Sequence, residues 1–534
     1  MNRDNLDIRV TFKDVRIGST AAAFLVAILV VFVVPSCSRS GGEVRNFDYY
    51  MSEARSSYER GNFEEAKQSY TEALKLNPKS ATALLGRSIV NLRDILTYQE
   101  AITDATRALE IDALLQEAYV VRASALVDMG HSDHSQFDIM HSLAIKKKPA
   151  IYFTDYWLLP PQERHERAIA DATKAIEIDQ DSPDAYFVRA HAYMDLQRPN
   201  DAVTDFDKVF ELGPGAYLEA MTYIHRSQAH RQLGNLVSAI DDSNKAMQLH
   251  NSLAKGFDKQ VTSVKWHGFG PNQIIATSYT NRGLAYKESG QATESINDYT
   301  TALEKDPAYF EALVNRSDVY TGTGLYEKAL SDADKAISLK NKVSESLLAR
   351  AYNSRALAVN GMGRNQEALD DVSMALSYDP RYAMAYSNRA YMLTGLGRYD
   401  AAVSDATAAI DLEPELPLAY ANRAEAHFMM GNYDDAISDS TRALSLDKGL
   451  TGTLIGRSFA YLANSNFESA LLDAEAALMH KPGDLQALFL RGMAMLALTD
   501  GKSGKEDLQR VIKSNNQSLG KIANDALKKA ENGN

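Results

Sequence analysis

Few residues in this chain have types and spacing that could do chemistry. Cys37, within FVVPSCSRSGG (residues 32–42), is the only cysteine among 534 residues. A single thiol cannot close an internal disulfide, so it is a candidate for covalent modification. A second set is His134, Asp138 and His141 in GHSDHSQFDIMH (130–141), one helical face carrying ligand types suited to zinc. Those slots flank the packed face, and a solvated set with no metal is the favoured reading. The third set is a ladder of arginines with a matching ladder of aspartates. It could line a groove for an anionic ligand, or pair internally.

Catalytic motifs are missing. The sequence has no Gly-x-x-x-x-Gly-Lys loop, no Gly-x-Ser-x-Gly elbow and no His-Glu-x-x-His helix. A non-enzyme with no cofactor and no small-molecule substrate is expected; a metal-dependent or otherwise cryptic enzyme using His134 and His141 is the alternative. The charge balance of 57 basic to 70 acidic residues gives −13, and the longest basic run is Lys146 to Lys148. Phosphate backbones demand dense positive charge, so nucleic acid is excluded as a partner.

Residues 1–36 read as a signal peptide or membrane anchor. A charged leader precedes Ile17–Val34, which has no charge, and its apolar heart Ala21–Val34 is 14 residues. That is shorter than the ~20 residues of a spanning helix. Val34, Pro35, Ser36 and Cys37 resemble the lipobox of a bacterial lipoprotein signal, with Pro35 departing from the pattern. The resemblance implies lipidation of Cys37, the palmitate-type acyl chains anchoring the protein outside the cytoplasm, at the outer membrane or periplasmic face of the cell envelope. The alternative is an uncleaved single-pass inner-membrane anchor. Residues 37–46 then form a tether.

Beyond Phe47 the chain is internally repetitive. AYSNRAYMLTGLGRYDAAVSDATAAIDLEP (385–414) returns as AYANRAEAHFMMGNYDDAISDSTRALSLDK (419–448), an offset of 34 residues. Each unit holds two apolar-periodic helices, a glycine between them and often an Asp-Pro or Glu-Pro end. Alanines open the second helix (Ala66, Ala202, Ala402, Ala436) and recur seven residues later (Ala73, Ala409, Ala443), where helices must cross closely. These motifs resemble the tetratricopeptide repeat family over nearly all of 47–515. The resemblance implies an all-α fold, an α-solenoid of helix-turn-helix repeats in a right-handed superhelix, and a protein-binding scaffold. Thirteen units are expected across 47–253 and 276–515, with the one at 149–182 degenerate because Pro160-Pro161 must cut its first helix. Residues 254–275 read as a hairpin-like insert whose Trp266, His267 and Phe269 could touch a partner. Residues 516–534 hold a capping helix with Ile522, Ala526, Leu527 and Ala530 on its packed face.

Within this frame each arginine is expected to pair with an aspartate of the preceding unit, as Asp405 with Arg423. Partner binding is expected in the concave groove, where the last three units collect Leu418, Ala421, Phe428, Met429, Ile455, Phe459, Leu462, Phe489, Met493 and Leu496. Protein or peptide segments are the expected partners, together with the membrane through the N-terminus. One variety of the family clamps C-terminal carboxylates with lysines and asparagines. Asn281, Asn315, Asn388 and Asn422 match its asparagine slot, but Leu357 and Tyr391 stand where lysine is needed, which disfavours a chaperone adaptor.

Overall fold

A computed structural model describes residues 45–93, 97–131, 160–249, 271–341, 343–498, 502–514 and 516–532. The described residues form twenty-five helices and no strand. The first twenty-four associate as twelve antiparallel pairs stacked side by side, from Phe47–Glu59 with Phe63–Leu76 to Leu485–Leu498 with Lys502–Ile512. The chain is thus an all-helical solenoid, as the repeat pattern requires.

Close crossing within pairs depends on side-chain size. The alanines that open the second helices, including Ala66, Ala202, Ala402 and Ala470, are fully buried, as are those seven residues on. Only a methyl group fits between helix axes at these crossings. The turn between paired helices needs a left-handed residue: Gly61, Gly234, Gly290, Gly324, Gly363, Gly397 and Gly431 have φ from 73° to 82°. Where glycine is missing, Gln197 and Ser465 take the same conformation at φ 56° and 58°. The turn geometry is therefore set by packing of the pair and only made easier by glycine.

The unit count differs from the sequence expectation. Helix Gln116–His131 continues through Gly130, a turn residue by the repeat period, and packs against Pro161–Ile178. These two form one unit, with residues 132–159 between its halves. Pro161 sits at the first helical position, where its missing N–H costs nothing and its fixed φ suits the helix; it opens the second helix rather than cutting a first one. The segment 149–182 is therefore not a repeat of its own, and the units number twelve among the described residues.

Two further expectations need correction. Pro271–Ile275, assigned to a hairpin-like insert, are the start of helix Pro271–Glu288. Trp266, His267 and Phe269 lie outside the described residues. The C-terminal helix Gln517–Asn532 does cap the array, but its packed face is Leu519, Ala523 and Leu527. Ile522 is 55 % exposed, so the face is rotated by about one residue from the expected one.

Eleven of the twelve units carry the same ion pair. Arg389 Nε and Nη2 donate to Asp405 at 2.6 and 2.8 Å, and Arg423 to Asp439 at 2.7 and 2.8 Å. The partner is thus the aspartate of the arginine's own unit, not that of the preceding unit. The fork geometry spans the two helices of one pair, which a sequence separation of sixteen residues allows. In unit three the pair is Arg122–Asp171, forty-nine residues apart. The last pair is Arg491–Asp507, whose aspartate the sequence ladder did not include. The first unit has Glu53 and Ser69 at the two slots and lacks the pair.

The remaining guanidinium nitrogen reaches backwards. Nη1 of Arg87, Arg189, Arg316, Arg423 and Arg457 donates to Thr71, Thr173, Thr300, Thr407 and Thr441 of the preceding unit at 2.9–3.2 Å. Thr71, Thr300 and Thr441 donate in turn to their own helix carbonyls at 2.7–2.8 Å, which leaves a lone pair for the arginine. Asn244 and Asp334 take the same slot toward Arg282 and Arg355. Each of these arginines therefore ties its own pair together and binds the unit before it, whereas Arg389 and Arg491 make only the fork to their own aspartate. The hydrogen bond to Asp439 holds the Arg423 guanidinium above its ordinary pKa.

Removing one partner of such a shielded pair leaves the other charge uncompensated, whereas replacing both with apolar groups does not. Asp439→Ala is expected to cost about 2–4 kcal/mol locally, while Arg423→Leu/Asp439→Leu costs less than the single change. Hydrogen exchange of Tyr433–Leu446 and its neighbours reads both.

Candidate functional site

The first helices of successive pairs lie side by side and form the inner wall of the solenoid. Along the last three units an aromatic row crosses this wall: the Phe428 and Phe459 rings are 6.3 Å apart, and Phe459 and Phe489 6.4 Å. Phe428 also packs on Tyr433 at 5.6 Å. Such spacing is that of tilted aromatic contacts and makes the row a continuous apolar surface.

The expected groove residues divide into two groups by burial. Leu418 (40 %) and Met429 (51 %) are exposed, with Phe428, Phe459, Leu462, Met493 and Leu496 partly so. Ile455 and Phe489 are buried in the C-terminal core with Leu488, Leu490 and Leu508. They sit where one first helix meets the next, and they support the row from beneath instead of meeting a ligand. Gly492 and Gly504 allow the closest contact there, because a Cβ on Gly504 would lie 2.7 Å from the Gly492 carbonyl oxygen. Tyr391, named from the sequence only as a departure at a lysine slot, and Met430, not singled out, extend the exposed set at 48 % and 40 %.

The asparagine slot is structural in three of four cases. Asn281 Nδ2 donates to the Ile224 carbonyl at 3.2 Å, Asn388 to Asn353 Oδ1 at 2.9 Å, and Asn422 to the Ser387 carbonyl at 2.8 Å. Each bonds to the previous unit's first helix and so is spent on stacking. The arginine ladder is likewise spent on aspartate, which removes the reading of an arginine-lined groove.

Sequence reasoning missed a polar cluster on units three to five. His165 Nε2 lies 3.5 Å from Asp195 Oδ2, and the His191 and His225 rings are 4.4 Å apart beside Phe187. No regular motif announces it, because its members occupy different slots of three units. Burial, and secondarily the nearby Asp128 carboxylate, push the Asp195 carboxyl up to about 7. Among the described residues no three such side chains converge as a metal site. The set His134, Asp138 and His141 lies outside the described residues, as does Cys37.

Two outcomes follow. A folded pKa above the unfolded value gives Asp195 a contribution that is complete below about 4 and lost as pH rises through about 7. Asp195→Asn should therefore stabilise the fold on the order of 2 kcal/mol at pH 8 relative to the parent and much less at pH 5, by denaturant melts at both. Phe489→Asp buries an uncompensated charge and should melt the last units, whereas Phe459→Asp at the only partly buried neighbour should keep helicity and lower the melting temperature much less.

Comparison with known proteins agrees with this architecture. Family models described as tetratricopeptide repeat match residues 51–115, 280–342, 353–417, 393–449 and 183–214. The chain is similar to mitochondrial import receptor subunit TOM70 of Rattus norvegicus, 21% identical over 343 residues, 63% of this chain and 53% of that protein. It is also similar to Hsp70-Hsp90 organizing protein 3 of Arabidopsis thaliana, 22% identical over 231 residues, 40% of each chain. The chain spans about half the length of the first of these relatives and less of the second. Among solved structures, a chain of the APC/C hetero-tetramer Cut9-Hcn1 covers 91% of this chain and 96% of itself, with 13% identity and a TM-score of 0.45. Tetratricopeptide repeats are thus matched in the N-terminal, central and C-terminal parts of the chain, and the twelve helical pairs among the described residues follow the same plan.

Proposed function

We propose that this protein is a non-catalytic scaffold that captures a protein segment in the concave groove of its last units while its N-terminus holds it at a membrane. The observation that carries the reading is the aromatic pair Phe428–Phe459, backed by buried Phe489 and flanked by exposed Leu418 and Met429. Surface apolar groups gathered on a concave wall, rather than scattered, mark an interaction site suited to an apolar or amphipathic segment. The likeness to an import receptor subunit supports a receptor-like capture role.

Membrane tethering rests on the sequence of residues 1–37, with lipidation of Cys37 preferred over a plain helical anchor. Among the described residues no helix is long and apolar enough to cross a membrane. The likeness to an Hsp70-Hsp90 organizing protein favours a second reading, a chaperone adaptor. Leu357 and Tyr391 at the lysine slots argue against a carboxylate clamp of the usual kind.

Photo-crosslinking from position 429, where Met429 is exposed on the same wall, in intact membranes tests the capture role. A discrete protein adduct lost on Phe459→Asp supports it, and an adduct unchanged by Phe459→Asp refutes it. Cys37→Ala should leave the mature mass without acyl chains and move the protein to the soluble fraction. Unaltered mass and membrane partition would replace the lipid with a helical anchor.

A further inference from the structure

Glu425 stands in the middle of this apolar wall. It occupies the first-helix slot that Tyr391 fills one unit earlier and Phe459 one unit later. Across the inward slots of the last four units the other occupants are uncharged, among them Met384, Leu418, Phe428, Leu462 and Met493. The nearest cation in an equivalent slot is Arg350, two units away. Glu425 has no hydrogen bond or ion pair to any described residue, unlike Asp439 and Asp473 on the neighbouring second helices. Its surface is exposed to the groove, yet the surrounding wall strips away enough water to raise its pKa, and no cation offsets that effect.

A half-desolvated carboxylate without a cation is costly when empty and favourable when a cation arrives with its own apolar flanks. Resting on the groove reading above, we propose that Glu425 selects the partner: an apolar or amphipathic segment carrying one lysine or arginine that pairs with Glu425, its aliphatic residues lying along Tyr391, Leu418, Phe459 and Met493. The basic side chain supplies specificity, and the aromatic row supplies most of the contact area. The long aliphatic stem of lysine or arginine fits this setting, since it can lie on the apolar wall while its head meets the carboxylate.

A random dodecapeptide display library panned against the full-length chain in detergent micelles tests this. Peptides enriched on the parent protein should be apolar with one lysine or arginine, and Glu425→Lys should switch the enrichment to aspartate or glutamate. For the best peptide, Glu425→Gln should weaken binding about tenfold, and replacing the peptide's basic residue by glutamine should do the same, with no further loss when it is tested against the Glu425→Gln variant. Enrichment of apolar peptides without a basic residue, or a Glu425→Gln change within twofold, overturns the charge selection while leaving the groove intact. Peptides that survive Phe459→Asp, or no enrichment at all, overturn the groove reading itself and this inference with it.

Discussion

Everything in this solenoid depends on the arginine that grips its own unit and the one before it. Two guanidinium nitrogens close a fork on an aspartate of the paired helix, and in most units the third reaches a threonine, asparagine or aspartate one repeat earlier. In several units a tyrosine one turn away lies under the same cation, as Tyr386 under Arg389 at 5.5 Å and Tyr279 under Arg282 at 5.4 Å. Alanine packing alone would allow neighbouring pairs to slide, because small apolar contacts are weakly directional. The fork fixes the crossing within each pair, and the third donor fixes the step between pairs. Such buried ion pairs contribute register more surely than net stability.

That constraint has a consequence for where function can reside. Arginine, aspartate, threonine and the asparagine slot are consumed by stacking, so the polar periodic residues of the repeat carry no ligand chemistry. What varies freely is the set of inward positions on the first helices. In the last units those positions are apolar, and the superposed side chains Phe428 and Phe459 make one surface out of separate repeats. A chain assembled from near-identical units thus acquires a local site by changing only residues that its packing does not need.

The helices, their pairing, the buried alanines and the glycine turns were legible in the sequence because each follows from a short-range rule. The partner of each arginine was recognised by type but assigned to the wrong unit, since a fixed period permits either neighbour. The pattern contained the answer at unit three: Asp155, sixteen residues before Asp171, cannot be its arginine, whereas Arg122 can if a segment intervenes. Counting by period instead gave residues 149–182 a unit of their own. Burial of Ile455 and Phe489 was not legible, because a groove slot and an inter-helix slot differ by a small rotation that periodicity does not resolve. The rotation of the C-terminal helix, with Ala523 inward and Ile522 outward, has the same origin.

The most direct test of this account is the coupling between Arg122 and Asp171, measured with a double-mutant cycle of Arg122→Leu and Asp171→Leu. The stability of units two to four is read by hydrogen exchange of helices Gln116–His131 and Pro161–Ile178. If one arginine–aspartate fork holds together a unit whose halves are separated by residues 132–159, the two changes are non-additive by about 2 kcal/mol. Additive effects within about 0.5 kcal/mol would mean that the two helices belong to different units, and the register built on the fork would be wrong.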